Sequence, residues 1–250
     1  MAKQITNILS CLTLSLLVVS HNSQKVWEKK PYAEWNLAEV LRMLTDSPWA
    51  QTAFETTRFS YNVPGQSYSA TIRLRSALPV RQALVRQRQL AVNYDKFNAA
   101  DRARFDAETS EVLKCADCMK YYIVTLASLL SAGSPPVTLS DNVTLTGNLG
   151  IDIGVALERK SLNDLKAYVH LRNDKGQRRE MVGFIAPVGR GKEAMFVFRR
   201  FDEHGRPLIT TDNKKFYFEI DKEVFRELGG PLKRFTFEVS KLVQNGEVNF

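Results

Sequence analysis

Histidine and cysteine are scarce in this chain, and their scarcity removes whole classes of chemistry. The histidines are His21, His170 and His204, and no two have the H-x3–5-H spacing of a zinc site. The cysteines are Cys11, Cys115 and Cys118. A zinc ion needs four ligands, or three and a water, so Cys115 and Cys118 would have to recruit distant partners, and no metal is expected. Met119, not histidine, follows Cys118, which excludes c-type haem attachment. The chain has no G-x-S-x-G, no H-E-x-x-H and no H-x-E paired with C-x-x-C. Gly189-Arg190-Gly191-Lys192-Glu193 falls short of a phosphate loop. Ala186 stands where its first glycine belongs, Glu193 stands where serine or threonine belongs, and a strand is predicted where a helix is needed. No cofactor is implied.

Long apolar runs are also missing. The one apolar stretch of note is Ile8–Val19, preceded by Lys3 and followed by Val18-x-Ser20. This is a positive region, a short apolar region and a cleavage-like site, so residues 1–20 are expected to be a secretory signal peptide. The run is shorter than the roughly 20 residues a spanning helix needs, and no stable transmembrane segment is expected after cleavage. Cys11 lies inside this region. With apolar residues after it instead of before it, lipid attachment there is not expected.

The remaining composition is that of a globular protein, with 44% hydrophobic and 25% charged residues. Net charge is +8, and Lys3 is the one charge that leaves with the signal. In an exported protein that balance points to anionic envelope components as partners, not to nucleic acid.

Residues 21–33 are polar and lysine-rich and read as a loose leader. Asn36 and Glu39 form a capping box, with Trp35 and Val40 as a hydrophobic staple, and Leu37, Val40, Leu41 and Leu44 repeat at helical spacing. A helix over 37–46 follows. Tyr68–Ser76 alternates apolar and polar residues, and Val63-Pro64-Gly65-Gln66 is a turn, so a hairpin with the preceding Ala53–Tyr61 run is predicted. Pro79 opens a second helix, with Val80, Leu84 and Ala91 on one stripe, and Asn98 caps a third that runs to Lys114. Tyr121–Leu126 reads as a central strand buried on both faces.

Residues 131–150 are rich in Ser, Gly, Pro, Thr and Asn and contain an echo, Val137-Thr138-Leu139 and Val143-Thr144-Leu145. They read as a linker or a pair of short strands. From 151 onward short alternating strands dominate, with Asn173-Asp174-Lys175-Gly176 as a clear turn. The reading is therefore α+β: an α/β helix and hairpin part over 34–130, then a mostly antiparallel, β-sandwich-like part over 151–250.

Pro31-Tyr32-Ala33-Glu34-Trp35 leading to Asp46-Ser47-Pro48-Trp49-Ala50, after a signal peptide, resembles the opening of a family of exported bacterial proteins with no assigned activity. Gly205-Arg206-Pro207-Leu208-Ile209-Thr210 before a Phe-rich strand is similar to that family as well. The resemblance implies export and assigns no site residue.

Three constellations remain. Cys115-Ala116-Asp117-Cys118 is a C-x-x-C, and in an oxidising compartment a structural disulfide is the default. A redox pair would place the first thiol at a helix N-terminus, whereas here a charged helix precedes it and a strand follows. Arg73, Arg75, Arg81, Arg86 and Arg88 concentrate positive charge. They form either an anion-facing patch or solvated faces paired with acids such as Asp101, Asp106 and Glu108. Phe196, Phe198, Phe216, Phe218, Phe235 and Phe237 come in alternating pairs that would line a cleft or fill a core. The leading expectation is a non-enzymatic binding or structural protein of the periplasm, cell surface or medium. The alternatives are a thiol–disulfide protein using Cys115 and Cys118, and an envelope hydrolase whose site forms only in three dimensions.

Overall fold

The computed structural model describes residues 26–57, 66–128, 138–139, 143–144, 157–188, 192–224 and 234–250. The signal segment 1–20, the hairpin turn 63–66 up to Gly65, most of 131–150 and the glycine-rich turn 189–191 lie outside the described residues.

The chain opens with a helical turn, α1 (Val26–Lys29), and a 3-10 turn, Tyr32–Glu34. The part of the leader seen here is tied down instead of loose. Trp27 meets the ring of Trp49 edge-on at 5.2 Å, and Lys30 pairs with Glu39 at 2.8 Å. Helix α2 (Leu37–Thr45) begins on the Asn36–Glu39 capping box, with both reciprocal bonds formed. Its buried side is Val40, Met43 and Leu44, and Leu37 and Leu41 are exposed. Strands β1 (Asp46–Ser47), β2 (Ala50–Thr57) and β3 (Gln66–Leu74) follow, β2 and β3 pairing antiparallel. Helix α3 (Leu78–Ala91) carries Pro79 in its first turn, where the missing N–H costs nothing. Helix α4 (Ala99–Lys114) starts on Asn98, whose side chain accepts from the Asp101 N–H.

Strand β4 (Tyr121–Ser128) is central, between β3 and the later β9. Tyr122, Val124 and Leu126 are fully buried on one face. On the other face Thr125 is buried and Tyr121 and Ile123 are half-buried. The echo within 131–150 forms a separate two-residue pair, β5 (Thr138–Leu139) with β6 (Val143–Thr144). After the short helix α5 (Leu162–Leu165) come β7 (Val169–Asn173), β8 (Arg178–Ile185), β9 (Ala194–Arg199), β10 (Lys215–Ile220) and β11 (Arg234–Glu238). A last hairpin joins β12 (Val243–Gln244) to β13 (Glu247–Val248) through Asn245 and Gly246, both at positive φ.

The α+β architecture, with a mostly antiparallel C-terminal part, is present. The C-terminal strands do not stack as a sandwich of their own. One nine-stranded sheet runs β1-β2-β3-β4-β9-β8-β7-β10-β11, every pairing antiparallel. It curls until its ends meet, and the Gln51 side chain donates to the Thr236 carbonyl at 2.5 Å across the seam. Period-two burial reports that one face is covered but not what covers it, so a sandwich and a curled sheet share a sequence pattern. The register of β8 against β9 shifts between Met181 and Gly183. A side chain at Gly183 would put its Cβ 3.2 Å from that of Val197.

All six alternating phenylalanines lie in the core. Phe216 stacks on Phe237 and on Phe250 at 5.0 Å each, and Phe218 contacts Phe196 at 5.3 Å. Trp35, Trp49, α2 and α3 contribute to the same core as the sheet. Among the described residues no helix is long and apolar enough to cross a membrane.

Candidate functional site

The five arginines of the basic run lie on β3, on the turn after it and on α3. Arg73 donates through Nε to the Leu44 carbonyl at 2.6 Å, at the end of α2, and pairs with Glu193. Arg86 is 7% exposed and donates through Nε to the Trp35 carbonyl at 2.9 Å, with Gln89 Oε1 at 3.3 Å and Asp95 at 3.7 Å. Arg88 lies over the Phe105 ring at 5.6 Å. Arg81 donates to the Leu113 carbonyl, in the last turn of α4. Positive side chains on terminal carbonyls complement the negative end of a helix. Arg73, Arg86 and Arg88 therefore tie β3 and α3 to their neighbours. Arg75 is largely removed from water, which pulls its pKa down, with Glu193 opposing that shift and Arg73 adding to it.

Cys115 and Cys118 are joined by a disulfide. Cys115 is the C-cap of α4, in the left-handed region at φ 44°, and a 3-10 turn, Ala116–Met119, leads into β4. The first sulfur thus sits at the negative end of a 16-residue helix, which disfavours a thiolate.

Arg81 and the disulfide converge on a cleft of about 950 Å³ that the sequence does not announce. Its walls come from four distant segments: Ser76–Arg81, Cys118–Met119, Arg200–Thr211 and the 244–250 hairpin. Arg200 is the second cation. Its Nε and Nη2 donate to the Cys118 carbonyl at 3.2 and 3.0 Å, Nη2 also donates to the Phe250 carbonyl, and the guanidinium lies 4.4 Å from the centroid of the Tyr122 ring. Tyr122 is held in turn, its hydroxyl accepting from the Ile209 N–H at 3.1 Å. The hairpin is anchored by Asn249, which accepts from the Leu78 N–H at 2.9 Å and donates to Gln244 at 2.6 Å.

Arg73, Arg86, Arg172 and Arg179 each have a carboxylate within 4 Å. Among the described residues no carboxylate side chain lies within that distance of Arg81, whose partners are the Val112 and Leu113 carbonyls, whereas Arg200 donates to the oxygen of Phe250, the last residue of the sequence. Burial lowers the pKa of both. The like charge of Arg75 adds to this at Arg81, and Tyr122 offsets it at Arg200. Arg81 Nε is buried with no hydrogen-bond partner. Glu247, exposed on β13, is the one acidic side chain among the lining residues.

A second recess, of about 400 Å³, lies against the outer face of β7, β10 and β11 and includes His170, Glu219 and Arg234. Its charges are matched. Glu219 accepts from Arg172 at 2.9 and 3.1 Å and from Arg234 at 2.8 Å. Burial pushes the Glu219 pKa up, and the two arginines outweigh it and hold the carboxylate below its ordinary value. Such a carboxylate is a fixed anion, poorly suited to take up a proton.

Sequence reasoning missed Arg200 and the 244–250 hairpin. Both carried a signal. Arg200 shares the period-two parity of Phe196 and Phe198, which places it on the core side, and Asn245-Gly246 between Val243 and Val248 is a two-residue hairpin signature. No protein-family model matches the chain, no curated protein matches it, and no solved structure matches it.

Proposed function

We propose that the chain is an exported protein, periplasmic, cell-surface or secreted, that binds a small anionic ligand in the cleft beside the Cys115–Cys118 disulfide and performs no chemistry on it. The observation that carries the reading is Arg81, half-buried on the cleft wall, whose Nε has no hydrogen-bond partner and which, among the described residues, has no carboxylate side chain within 4 Å. A charge removed from water is normally paired, because its desolvation is otherwise uncompensated. An anion from outside supplies the missing partner. The signal-like leader and the family resemblance support export, and the basic balance of the chain favours an anionic partner in the envelope.

Titration with acetate and with inorganic phosphate at low ionic strength, followed by amide chemical shifts, tests the site. Saturable shifts concentrated at 76–81, 118–119, 200–211 and 244–250 are expected. Shifts spread over the surface, or none, would overturn the site. Export is tested separately by the N-terminus of protein isolated from its host, expected at His21.

The disulfide's place on the cleft wall supports a second reading, a thiol–disulfide protein. The position of Cys115 at the C-terminal end of α4 argues against it. A reduction potential between about −120 and −270 mV, the span of catalytic pairs, would favour it.

A further inference from the structure

We propose that the exposed ring of Tyr168, with the two recesses that share it, binds a neutral oligosaccharide. The site shares no lining residue with the cleft beside the disulfide.

The placement of Tyr168 carries the proposal. It immediately precedes β7, and Asp221 immediately follows β10 on the neighbouring strand. The backbone is fixed there. The Tyr168 N–H donates to the Leu165 carbonyl at 2.9 Å, and the Asp221 N–H donates to the Tyr168 carbonyl at 2.8 Å. The side chain stays out of the core. It is 41% exposed and lines both the 400 Å³ recess described above and another of about 470 Å³. A tyrosine ring offers apolar area at small conformational cost, with a polar tip beside it. An anchored, open ring common to two hollows is a platform for a flat, partly apolar ligand that reaches into both.

The polar groups around the ring set the chemistry of that ligand. In the first recess Glu219 is held by Arg172 and Arg234, and both guanidiniums lie over the Tyr217 ring, at 5.0 and 5.1 Å. Asp221 accepts from the Glu223 N–H at 3.0 Å. In the second recess Asp164 accepts from the Ser161 N–H and hydroxyl, both at 2.7 Å. An ionic ligand would have to compete with these partners. A hydroxyl need not, because it donates to a remaining carboxylate lone pair and accepts from a remaining N–H, and the existing pairs stay intact. Lys222 lines the first recess and Lys160 and Asn163 the second, so each hollow sets donors beside acceptors. Groups already held in place lose little freedom when a ligand arrives. A sugar meets both demands, with a C–H face for the tyrosine ring and hydroxyls around its edge. Two recesses on one ring call for more than one sugar unit.

The test titrates the full protein with cellotetraose, maltotetraose, the N-acetylglucosamine tetramer and the galacturonate tetramer, each beside its own monosaccharide, and follows amide chemical shifts. At least one neutral tetramer should give saturable shifts concentrated at 160–170 and 219–224, with about tenfold or greater gain over its monosaccharide, because linked units engage both recesses. Tyr168→Ala changes an exposed side chain and should weaken that tetramer about tenfold, whereas Tyr168→Phe keeps the ring and should stay within about threefold of the parent. Raising salt from about 20 to about 500 mM should change the affinity less than about twofold, since no ligand charge is screened. Shifts caused by acetate at 76–81 should be the same in Tyr168→Ala as in the parent, so the two sites stand or fall separately. No binding by any neutral tetramer, or full binding by Tyr168→Ala, overturns the site. Tighter binding of the galacturonate tetramer than of every neutral one overturns the neutral ligand. Equal affinity for tetramer and monosaccharide overturns the joint use of the two recesses.

Discussion

Arg86 and Arg81 are both guanidiniums on α3 drawn in from water, yet the fold treats them differently. Arg86, inside the helical layer, has the Trp35 carbonyl, the Gln89 amide and the Asp95 carboxylate around it. Arg81, on the cleft wall, has the Val112 and Leu113 carbonyls, an Nε with no partner and, among the described residues, no carboxylate side chain within 4 Å. The first arrangement joins the chain before α2 to α3, and removing it should cost stability. The second leaves positive charge without an acid, which stability does not require. Matched and unmatched cations thus separate what holds this molecule together from what it presents to a partner.

Substitution at the two positions breaks the comparison most sharply. Arg86→Ala removes a charged hydrogen bond to a buried carbonyl and leaves a gap beside Trp35. A loss of about 2–4 kcal/mol in denaturant unfolding is expected, with acetate affinity of the folded protein unchanged. If Arg86→Ala proved neutral, the helical layer would owe nothing to its arginines. Arg81→Met should do the reverse. Its lost hydrogen bonds are offset by relief from desolvating a charge, so stability should stay within about 1 kcal/mol of the parent. Anion affinity should fall at least tenfold. A stability loss above 3 kcal/mol with affinity retained would make Arg81 another staple.

The parts of this division written into local sequence are the parts that sequence reading reaches. The Asn36–Glu39 box, the Asn98 cap, the β2–β3 alternation and the Asn173–Gly176 turn depend on neighbours within a few residues, and each forms as its pattern indicates. The buried side of α2 was less legible. Leu37 and Leu41 fit the helical stripe, but the face that turns inward is chosen by α3 and the sheet, and it carries Met43 instead. The cleft was not legible at all as a unit, because Arg81, Cys118, Arg200 and Asn249 meet only once a nine-stranded sheet has curled. Proximity in sequence did not decide between the two readings of Arg73 to Arg88, because it places them on a strand and a helix that aim them at different helix ends and rings.

The disulfide sharpens the comparison from the cleft side. Replacing both Cys115 and Cys118 by serine opens a loop of very few residues, so the stability lost should be at most about 2 kcal/mol, below the ~3 kcal/mol estimated for a 15-residue loop. The Cys118 carbonyl that holds Arg200 belongs to the backbone and survives the change. Anion affinity should therefore drop by no more than a few-fold. A tenfold loss would mean that the bond, not the 3-10 turn alone, positions the carbonyl.

The smallest effect is expected at His170, which tests how well the matched outer face is matched. Its cross-strand neighbours are Glu180 on β8 and Glu219 on β10, and both favour the imidazolium. Burial works against the charged ring, and Arg178 adds to that, so the folded-state pKa lies below the ordinary 6.5. For a base the sign is then settled. Above the unfolded pKa the ring is neutral in both states and the full stability is present. As pH falls through about 6.5 the unfolded chain takes up the proton first, and stability declines until the folded pKa is passed. Glu219 stays ionised throughout this window, because its two arginines hold its pKa down. Unfolding midpoints measured from pH 7.5 to 5 should show this decline, and His170→Gln should flatten it by a fraction of one proton. If the variant's slope were steeper than the parent's, Glu180 and Glu219 would be winning over burial, and the imidazole would belong with the paired charges of the sheet after all.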